Sequence, residues 1–228
     1  MSARRSRQPA TLRKRILILD DHPITRYGLI QLINREPDLQ VCGDAESTPQ
    51  ALAAMKSARP DLVLADITMP GRSGLEFIKD VRVEFPQVAV LVMSMHDENL
   101  YAERALRAGA RGYIMKNEGG GRILEAIRQV LQGQVYLSKS MAAALLDLLT
   151  RPQSRRREAT PGVLSDREFE VFELIGQGLS ARQIGQQLNV SVKTVATHRQ
   201  HIRQKLKMQT GPELIRQAVR WTAAQNLV

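Results

Sequence analysis

The chain of 228 residues has one cysteine, Cys42. That excludes an intramolecular disulfide framework and a cysteine-based zinc finger. No apolar run reaches the ~18 residues needed to span a bilayer. No charged start followed by a short apolar stretch and a small-residue cleavage site is present, so no secretory signal is expected. These absences point to a cytoplasmic protein with no membrane contact. Aromatic residues are scarce, at 4%, and none offers a stacking surface beside the basic helix described below, which argues against single-stranded RNA. Hydrophobic residues reach 43%, enough for packed cores and too many for a disordered chain. The length suits one or two domains.

The formal net charge is +10, and it is unevenly spread. Residues 1–15 carry six basic groups and no acid, whereas residues 16–138 carry 13 basic and 16 acidic groups. Residues 139–163 and 164–228 carry +3 and +4. Between 180 and 208 there are six Lys or Arg and no carboxylate, an imbalance that a nucleic-acid-facing surface requires. The first stretch, residues 1–14, reads as a disordered basic arm.

Residues 15–138 alternate short apolar runs with helical spacing. The runs are Ile16–Leu19, Leu39–Cys42, Leu62–Leu64, Val88–Met93 and Arg111–Met115. Continuous apolar strands alternating with amphipathic helices predict an α/β doubly wound, five-stranded parallel sheet covered on both faces. Ligands of such sheets bind at the carboxyl ends of the strands. Here those ends carry Asp20 and Asp21, Asp66, Ser94, and Tyr113 with Lys116. Crowded carboxylates repel one another unless a cation is present. Mg²⁺ takes oxygen ligands, usually one or two carboxylates with waters and a phosphate. Lysine adds a fixed positive charge and serine a hydroxyl. The set reads as a phosphoryl-transfer site with a metal, a carboxylate nucleophile, a lysine and a hydroxyl. Cys42 reads as a buried strand residue, and His22 as part of the first helical turn.

The segments DDHPITRYGL (20–29), DLVLADITMPGRSGLE (61–76), VLVMS (90–94) and ARGYIMK (110–116) resemble the flavodoxin/CheY-like receiver domain of two-component response regulators. The resemblance implies that Asp66 is the phosphoacceptor, loaded by a partner histidine kinase. It implies that Asp20, Asp21, Asp66 and the backbone carbonyl of Thr68 hold Mg²⁺, that Ser94 and Lys116 bind the phosphoryl group, and that Tyr113 is an aromatic switch that rotates inward. Thr68 and His96 are expected to flank the line of water attack and tune dephosphorylation. An enzyme of the phosphatase class is the competing reading, but no second carboxylate follows closely on Asp66, where Ile67 and Thr68 stand.

Residues 139–163 read as a connecting Ala/Leu-rich helix (Met141–Leu149) and a flexible linker (Arg151–Gly162). From residue 164 onward the punctuation is helical. Ser165 with Glu168 and Ser180 with Gln183 form capping boxes, Ser191 caps a third helix, and Thr210 with Glu213 opens a fourth. The second and third helices, joined by a short turn at Asn189 and Val190, match a helix-turn-helix motif. On the third helix Lys193, Ala196, Thr197, Gln200, Arg203 and Gln204 share the face opposite Val195, Ile202 and Leu206. Gln can bond a base edge and a Thr methyl or Ala can touch thymine. Lys193, Arg199, Arg203 and Lys205 suit DNA phosphates.

Residues 164–206 (LSDREFEVFELIGQGLSARQIGQQLNVSVKTVATHRQHIRQKL) resemble the LuxR-type helix-turn-helix. With the receiver, the chain is similar to NarL/FixJ-type response regulators. The resemblance implies base contacts by Ala196, Thr197 and Gln200, where many relatives have lysine in place of Ala196. It also implies a homodimer when phosphorylated, with Leu214, Ala218 and Trp221 of the fourth helix shared between the core and the dimer contact. The expected function is phosphorylation-controlled binding of double-stranded DNA to regulate transcription, not substrate turnover. The alternative is a receiver that signals through protein contacts without regulated DNA binding. Before phosphorylation the acidic receiver is expected to cover the basic recognition face.

Overall fold

The computed structural model describes residues 13–69, 73–95, 98–150 and 163–225, with the side chains of 98–100, 144–145, 147–150 and 224–225 set aside. Residues 1–12 of the basic arm, the linker Arg151–Gly162 and His96 therefore lie outside the described residues, and Lys14, expected in the arm, instead opens the first strand. The first domain runs β1 (Lys14–Leu19), α1 (Pro23–Asn34), β2 (Leu39–Ala45), α2 (Thr48–Ala58), β3 (Leu62–Ala65), α3 (Gly74–Glu84), β4 (Ala89–Ser94), α4 (Glu98–Ala108), β5 (Gly112–Met115) and α5 (Gly120–Leu131). The strands form one parallel sheet in the order β2-β1-β3-β4-β5. The doubly wound sheet expected from the apolar runs is the observed one.

Successive residues of a strand face opposite sides of the sheet, and both sides are covered. Ile16, Ile18, Leu62, Leu64 and Ile114 pack with Leu29 and Ile33 of α1 and Ile123, Ile127 and Val130 of α5. Leu17, Leu19, Val63, Val90, Val92 and Tyr113 pack on the other face with α2, α3 and α4. Ile24 does not join either core and is 88% exposed. The main departure in the strands is β2, which continues three residues past Cys42. The register skips there, with Ile16 opposite Val41 and Leu17 opposite Gly43. Cys42 is the extra residue of a bulge, and its thiol donates to the Ile16 carbonyl at 3.4 Å. After the bulge, Gly43 and Asp44 resume pairing, opposite Leu17 and Ile18.

The free edge of β5 is covered by the segment that follows α5. Tyr136 bridges Gly112, its amide donates to the Arg111 carbonyl at 3.1 Å, and its carbonyl accepts from Tyr113 at 3.0 Å. The next helix, α6 (Lys139–Thr150), packs on α4.

The second domain holds α7 (Asp166–Gly176), α8 (Ala181–Gln187), α9 (Val192–Lys205) and α10 (Gly211–Gln225). The capping boxes at Ser165 and Ser180 are both formed. Ser191 accepts from Thr194 at 3.0 Å, and Glu213 accepts from the Gln209 and Thr210 amides at 2.7 and 3.2 Å. The turn between α8 and α9 depends on Asn189 at φ 51°, a left-handed conformation that asparagine tolerates. The four helices pack around Phe169 and Phe172, with Trp221 5.4 and 5.7 Å from their ring centres. Among the described residues no helix is long and apolar enough to cross a membrane.

The crossing of α7 and α10 leaves no room at Gly176. A methyl group there would collide with Thr222 Oγ1 and lie 2.6 Å from the Ala218 carbonyl oxygen. Gly176→Val is expected to destabilise the second domain by about 1–3 kcal/mol, because overpacking at a backbone contact forces the helices apart. Urea unfolding of the full-length chain followed by Trp221 fluorescence checks this, and an unchanged midpoint would contradict it.

Candidate phosphoryl-transfer site and nucleic-acid interface

The parallel register places the ends of β1, β3, β4 and β5 on one rim. Leu19 is opposite Ala65, Ala65 opposite Val92, and Ser94 opposite Met115. The residues immediately after the strands must therefore meet. Asp20 and Asp66 are almost wholly buried, at 0% and 2% exposure. The Lys116 ammonium lies 2.6 Å from Asp20 Oδ2 and 2.6 Å from Asp66 Oδ2. The other Asp66 oxygen accepts the Thr68 amide at 2.9 Å. Asp20 Oδ1 accepts the His22 amide at 2.8 Å. His22 Nδ1 stands 2.7 Å from Asp21 Oδ1. Arg26, to which the sequence analysis gives no role, donates to the Asp20 carbonyl at 2.8 Å.

Burial pushes the Asp66 carboxyl above the usual aspartate range, against the opposing pull of Lys116. Burial pulls Lys116 down, but facing Asp66 and Asp20 outweigh it and hold the ammonium above its usual range. The site thus keeps a charged lysine between two desolvated carboxylates. Ligand atoms of Asp20, Asp21, His22 and Asp66 lie within 4.8 Å of one another. Asp20 Oδ2 and Asp21 Oδ1 are buried and face only the Lys116 ammonium and the His22 ring, at 2.6 and 2.7 Å. Three clustered carboxylates with two such oxygens fit a hard divalent cation.

Ser94 is fully buried at the end of β4, and its carbonyl accepts the Lys116 amide at 2.8 Å. Tyr113 is also fully buried, in the same core cluster as Tyr101. The expected inward rotation of Tyr113 therefore has no outward starting point here.

In the second domain Lys193, Ala196, Thr197 and Gln200 are exposed along α9, and Arg199 and Arg203 are half-buried. The Thr197 hydroxyl donates to the Lys193 carbonyl at 3.1 Å. Lys205 is engaged differently from the expectation, with its ammonium 2.6 Å from the buried Glu168 carboxylate. It ties α9 to the start of α7, and that pairing competes with a DNA phosphate. Leu214, Ala218 and Trp221, expected to be shared between the core and a dimer contact, serve the core in this chain. Leu214 and Ala218 are at 0% exposure, and Trp221 stacks inside the domain. They lie on the α10 face that packs on α7, while Ile215 and Val219 are each 43% exposed.

The expected cover of the recognition face is corrected as well. The receiver docks on α7 and leaves Ala196, Thr197 and Gln200 open to solvent. The contact comes from the start of α3 and from α4. Ser73 Oγ donates to Glu170 at 2.7 Å, Lys79 pairs with Asp166 at 2.6 Å, and Arg104 reaches Asp166 at 3.1 Å. The Tyr101 hydroxyl donates to Glu173, and the Arg104 guanidinium lies 4.0 Å from the Phe169 ring centre. A helix amphipathic by sequence is thus buried nearly all round, from Glu168 to Ile175. The sequence offers no local signal for these pairs, because Ser73 and Glu170 are 97 residues apart.

A sequence model described as the response regulator receiver domain matches residues 16–128, and one described as bacterial regulatory proteins, luxR family, matches residues 162–218. The oxygen regulatory protein NreC of Staphylococcus carnosus (strain TM300) is 33% identical over 210 residues, covering 90% of this chain and 97% of NreC. NreC of Staphylococcus epidermidis (strain ATCC 12228 / FDA PCI 1200) is 34% identical over 212 residues, with the same coverage. A solved two-component response regulator of the LuxR family from Aurantimonas sp. SI85-9A1 matches 61% of this chain and 100% of its own, at 31% identity and a TM-score of 0.57. RcsB from Salmonella enterica serovar Typhimurium, bound to promoter rprA with the phosphomimetic BeF3-, is similar in fold, at 22% identity, TM-score 0.61 and coverage of 90% and 98%. A receiver sheet carrying an acidic rim, followed by a capped helix-turn-helix and matched over nine-tenths of the chain by NreC, means that this chain belongs to the NarL/FixJ-type two-component response regulators, which control transcription.

Proposed function

We propose that Asp66 accepts a phosphoryl group from a partner histidine kinase and that this controls DNA binding by α9. The observation that carries the reading is the Lys116 ammonium held 2.6 Å from both Asp20 and Asp66 on the sheet rim. In the transfer the phosphohistidine N–P bond breaks and an O–P bond forms to an Asp66 carboxylate oxygen, with the imidazole nitrogen leaving. Lys116 offsets charge on the phosphoryl oxygens, and the Ser94 hydroxyl is the hydrogen-bonding group at the end of β4. Asp20, Asp21, Asp66 and the Thr68 carbonyl would hold Mg²⁺, which supplies further charge stabilisation when bound. The product is an acyl phosphate of nearly two negative charges, a signal and not a released product, so the chain is not a turnover enzyme. The Thr68 side chain tunes the lifetime of this phosphate. A cytoplasmic location suits a kinase-loaded, DNA-binding chain.

On the DNA side Gln200, Thr197 and Ala196 read base edges. The Thr197 hydroxyl is occupied within the helix, which leaves its methyl for thymine. Lys193, Arg199 and Arg203 contact phosphates, with Lys205 contributing only if it leaves Glu168. A homodimer uses the outer face of α10, where Ile215 and Val219 are exposed. DNA-bound dimers are described for RcsB.

Selection of duplexes by the phosphodonor-treated full chain, followed by titration, tests this reading. Gln200→Ala is expected to cost about 1–3 kcal/mol on the selected site and to relax specificity at one base pair. Lys193→Ala is expected to weaken all duplexes alike and to lower the salt slope by about 1. Equal effects of Gln200→Ala on selected and random duplexes would remove Gln200 from base reading.

A further inference from the structure

We propose that Arg26 is a positioning residue of the acidic rim, and that the bulge in the edge strand β2 supplies the partner that aims it. The inference rests on the reading of the rim as a Mg²⁺-assisted phosphoacceptor site. It adds a residue that acts through the Asp20 backbone.

Arg26 lies near the start of α1, which begins at Pro23, just after the two aspartates. Its side chain is only 14% exposed, and its planar guanidinium is shared three ways. Nη1 donates to the Asp20 carbonyl at 2.8 Å, Nε donates to Asp44 Oδ2 at 3.1 Å, and Nη2 lies 3.8 Å from Glu46 Oε2. The Asp20 amide donates to the Ala45 carbonyl at 3.1 Å. Both backbone groups of Asp20 are therefore tied to the end of β2, one directly and the other through Arg26. Each tie fixes one of the two rigid peptide planes that meet at the Asp20 Cα, and together they fix the direction in which its side chain leaves. That direction brings Asp20 Oδ2 to 2.6 Å from the Lys116 ammonium.

Asp44 reaches Arg26 only because of the bulge at Cys42. Alternate residues of a strand face opposite sides of a sheet. Leu39 and Val41 pack on the side covered by α1 and α5. Ala45, four residues beyond Val41, would face that side in an unbroken strand, yet it packs on the other with Leu17 and Leu19. The extra residue inverts the alternation. Asp44 therefore stands opposite Ile18 and shares its α1 side. Without the bulge Asp44 would face away from α1 and from Arg26.

Charge and positioning act in opposite directions at this residue. A cation beside a metal-binding rim repels Mg²⁺, so its removal would tighten binding if charge alone mattered. If Arg26 holds Asp20, its removal instead weakens binding, because groups that orient metal ligands are worth about 10–100-fold in affinity. Lysine keeps the charge but lacks the planar fork that spans the Asp20 carbonyl and Asp44.

The test is calorimetric titration of the full-length chain with Mg²⁺, with urea unfolding in chelator measured on the same samples. Arg26→Gln and Arg26→Lys are each expected to bind Mg²⁺ about tenfold more weakly than the wild type. Labelling of Asp66 by phosphoramidate, read by intact mass, should need correspondingly more Mg²⁺ and reach the wild-type rate at saturation. Should the Arg26 variants fail to fold, Asp44→Asn is compared with Glu46→Gln, two changes of equal charge at side chains 43% and 68% exposed. Asp44→Asn is expected to weaken Mg²⁺ binding more, since only Asp44 accepts a hydrogen bond from Arg26. Tighter binding by Arg26→Gln with wild-type affinity in Arg26→Lys would reduce Arg26 to a charge effect and overturn the proposal. Wild-type affinity in both Arg26 variants, with or without a lower unfolding midpoint, would overturn it too, as would equal effects of Asp44→Asn and Glu46→Gln. Each of these leaves the phosphoacceptor reading intact. A wild-type chain that takes up no Mg²⁺ would overturn the metal reading itself.

Discussion

An Asp66→Asn variant takes up no phosphoryl group from phosphoramidate, and its affinity for duplex DNA no longer responds to the donor. Asparagine matches the aspartate in size and can still accept the Thr68 amide, which in the wild type reaches Asp66 Oδ1 at 2.9 Å. What it lacks is the anionic oxygen beside Lys116. A neutral amide is not a nucleophile toward phosphorus under these conditions, so the loss is complete and not graded. Basal duplex affinity stays at the wild-type level, because the α9 face lies in the other domain and is exposed. Intact mass and fluorescence titration on one sample check both statements. A donor-induced gain in affinity by the variant would remove Asp66 as the trigger.

The second large effect is expected at Lys116. Its side chain is only 9% exposed and bridges two carboxylates that are themselves buried. Removing one partner of a buried ion pair leaves an uncompensated charge, at a cost of about 3–5 kcal/mol. Lys116→Met keeps the apolar stem and deletes the charge, so the receiver of the metal-free protein should lose stability on that scale. Urea unfolding in the presence of a chelator measures it. Mg²⁺ should restore more stability to the variant than it adds to the wild type, since a cation that binds only the folded site stabilises by mass action and here it also replaces a missing charge. A variant as stable as the wild type in chelator would show that the bridge carries little. Phosphodonor response should also be lost, because no cation remains to hold the phosphoryl oxygens from that side.

Much of the fold was legible because its signals are local. The five apolar runs place the strands within a few residues of where they lie, and the serine caps place the starts of α7, α8 and α9. Asp20, Asp66, Ser94 and Lys116 could be grouped before any geometry was known, since residues after parallel strands share one rim. The misreadings are instructive. β2 looked finished at Cys42 because a bulge is invisible without its partner strand. Leu214, Ala218 and Trp221 read as shared between core and dimer because apolar residues on a helix do not say which neighbour covers them. In the fold α7 does, and Ile215 and Val219 are left outside. Lys205 looked like one more DNA cation, yet Glu168 stands against it.

The amino-acid order by itself determined the two domains, the sheet, the acidic rim and the reading helix, because each follows from periodicity, caps and strand ends within short stretches. Only the tertiary structure decided how the domains meet. Glu170 and Glu173 carry no sequence signal of burial, and in the fold they are buried against Ser73 and Tyr101. Such pairings depend on the relative placement of surfaces 72 and 97 residues apart. No local pattern encodes that placement, because each partner is set only when two separately folded surfaces meet.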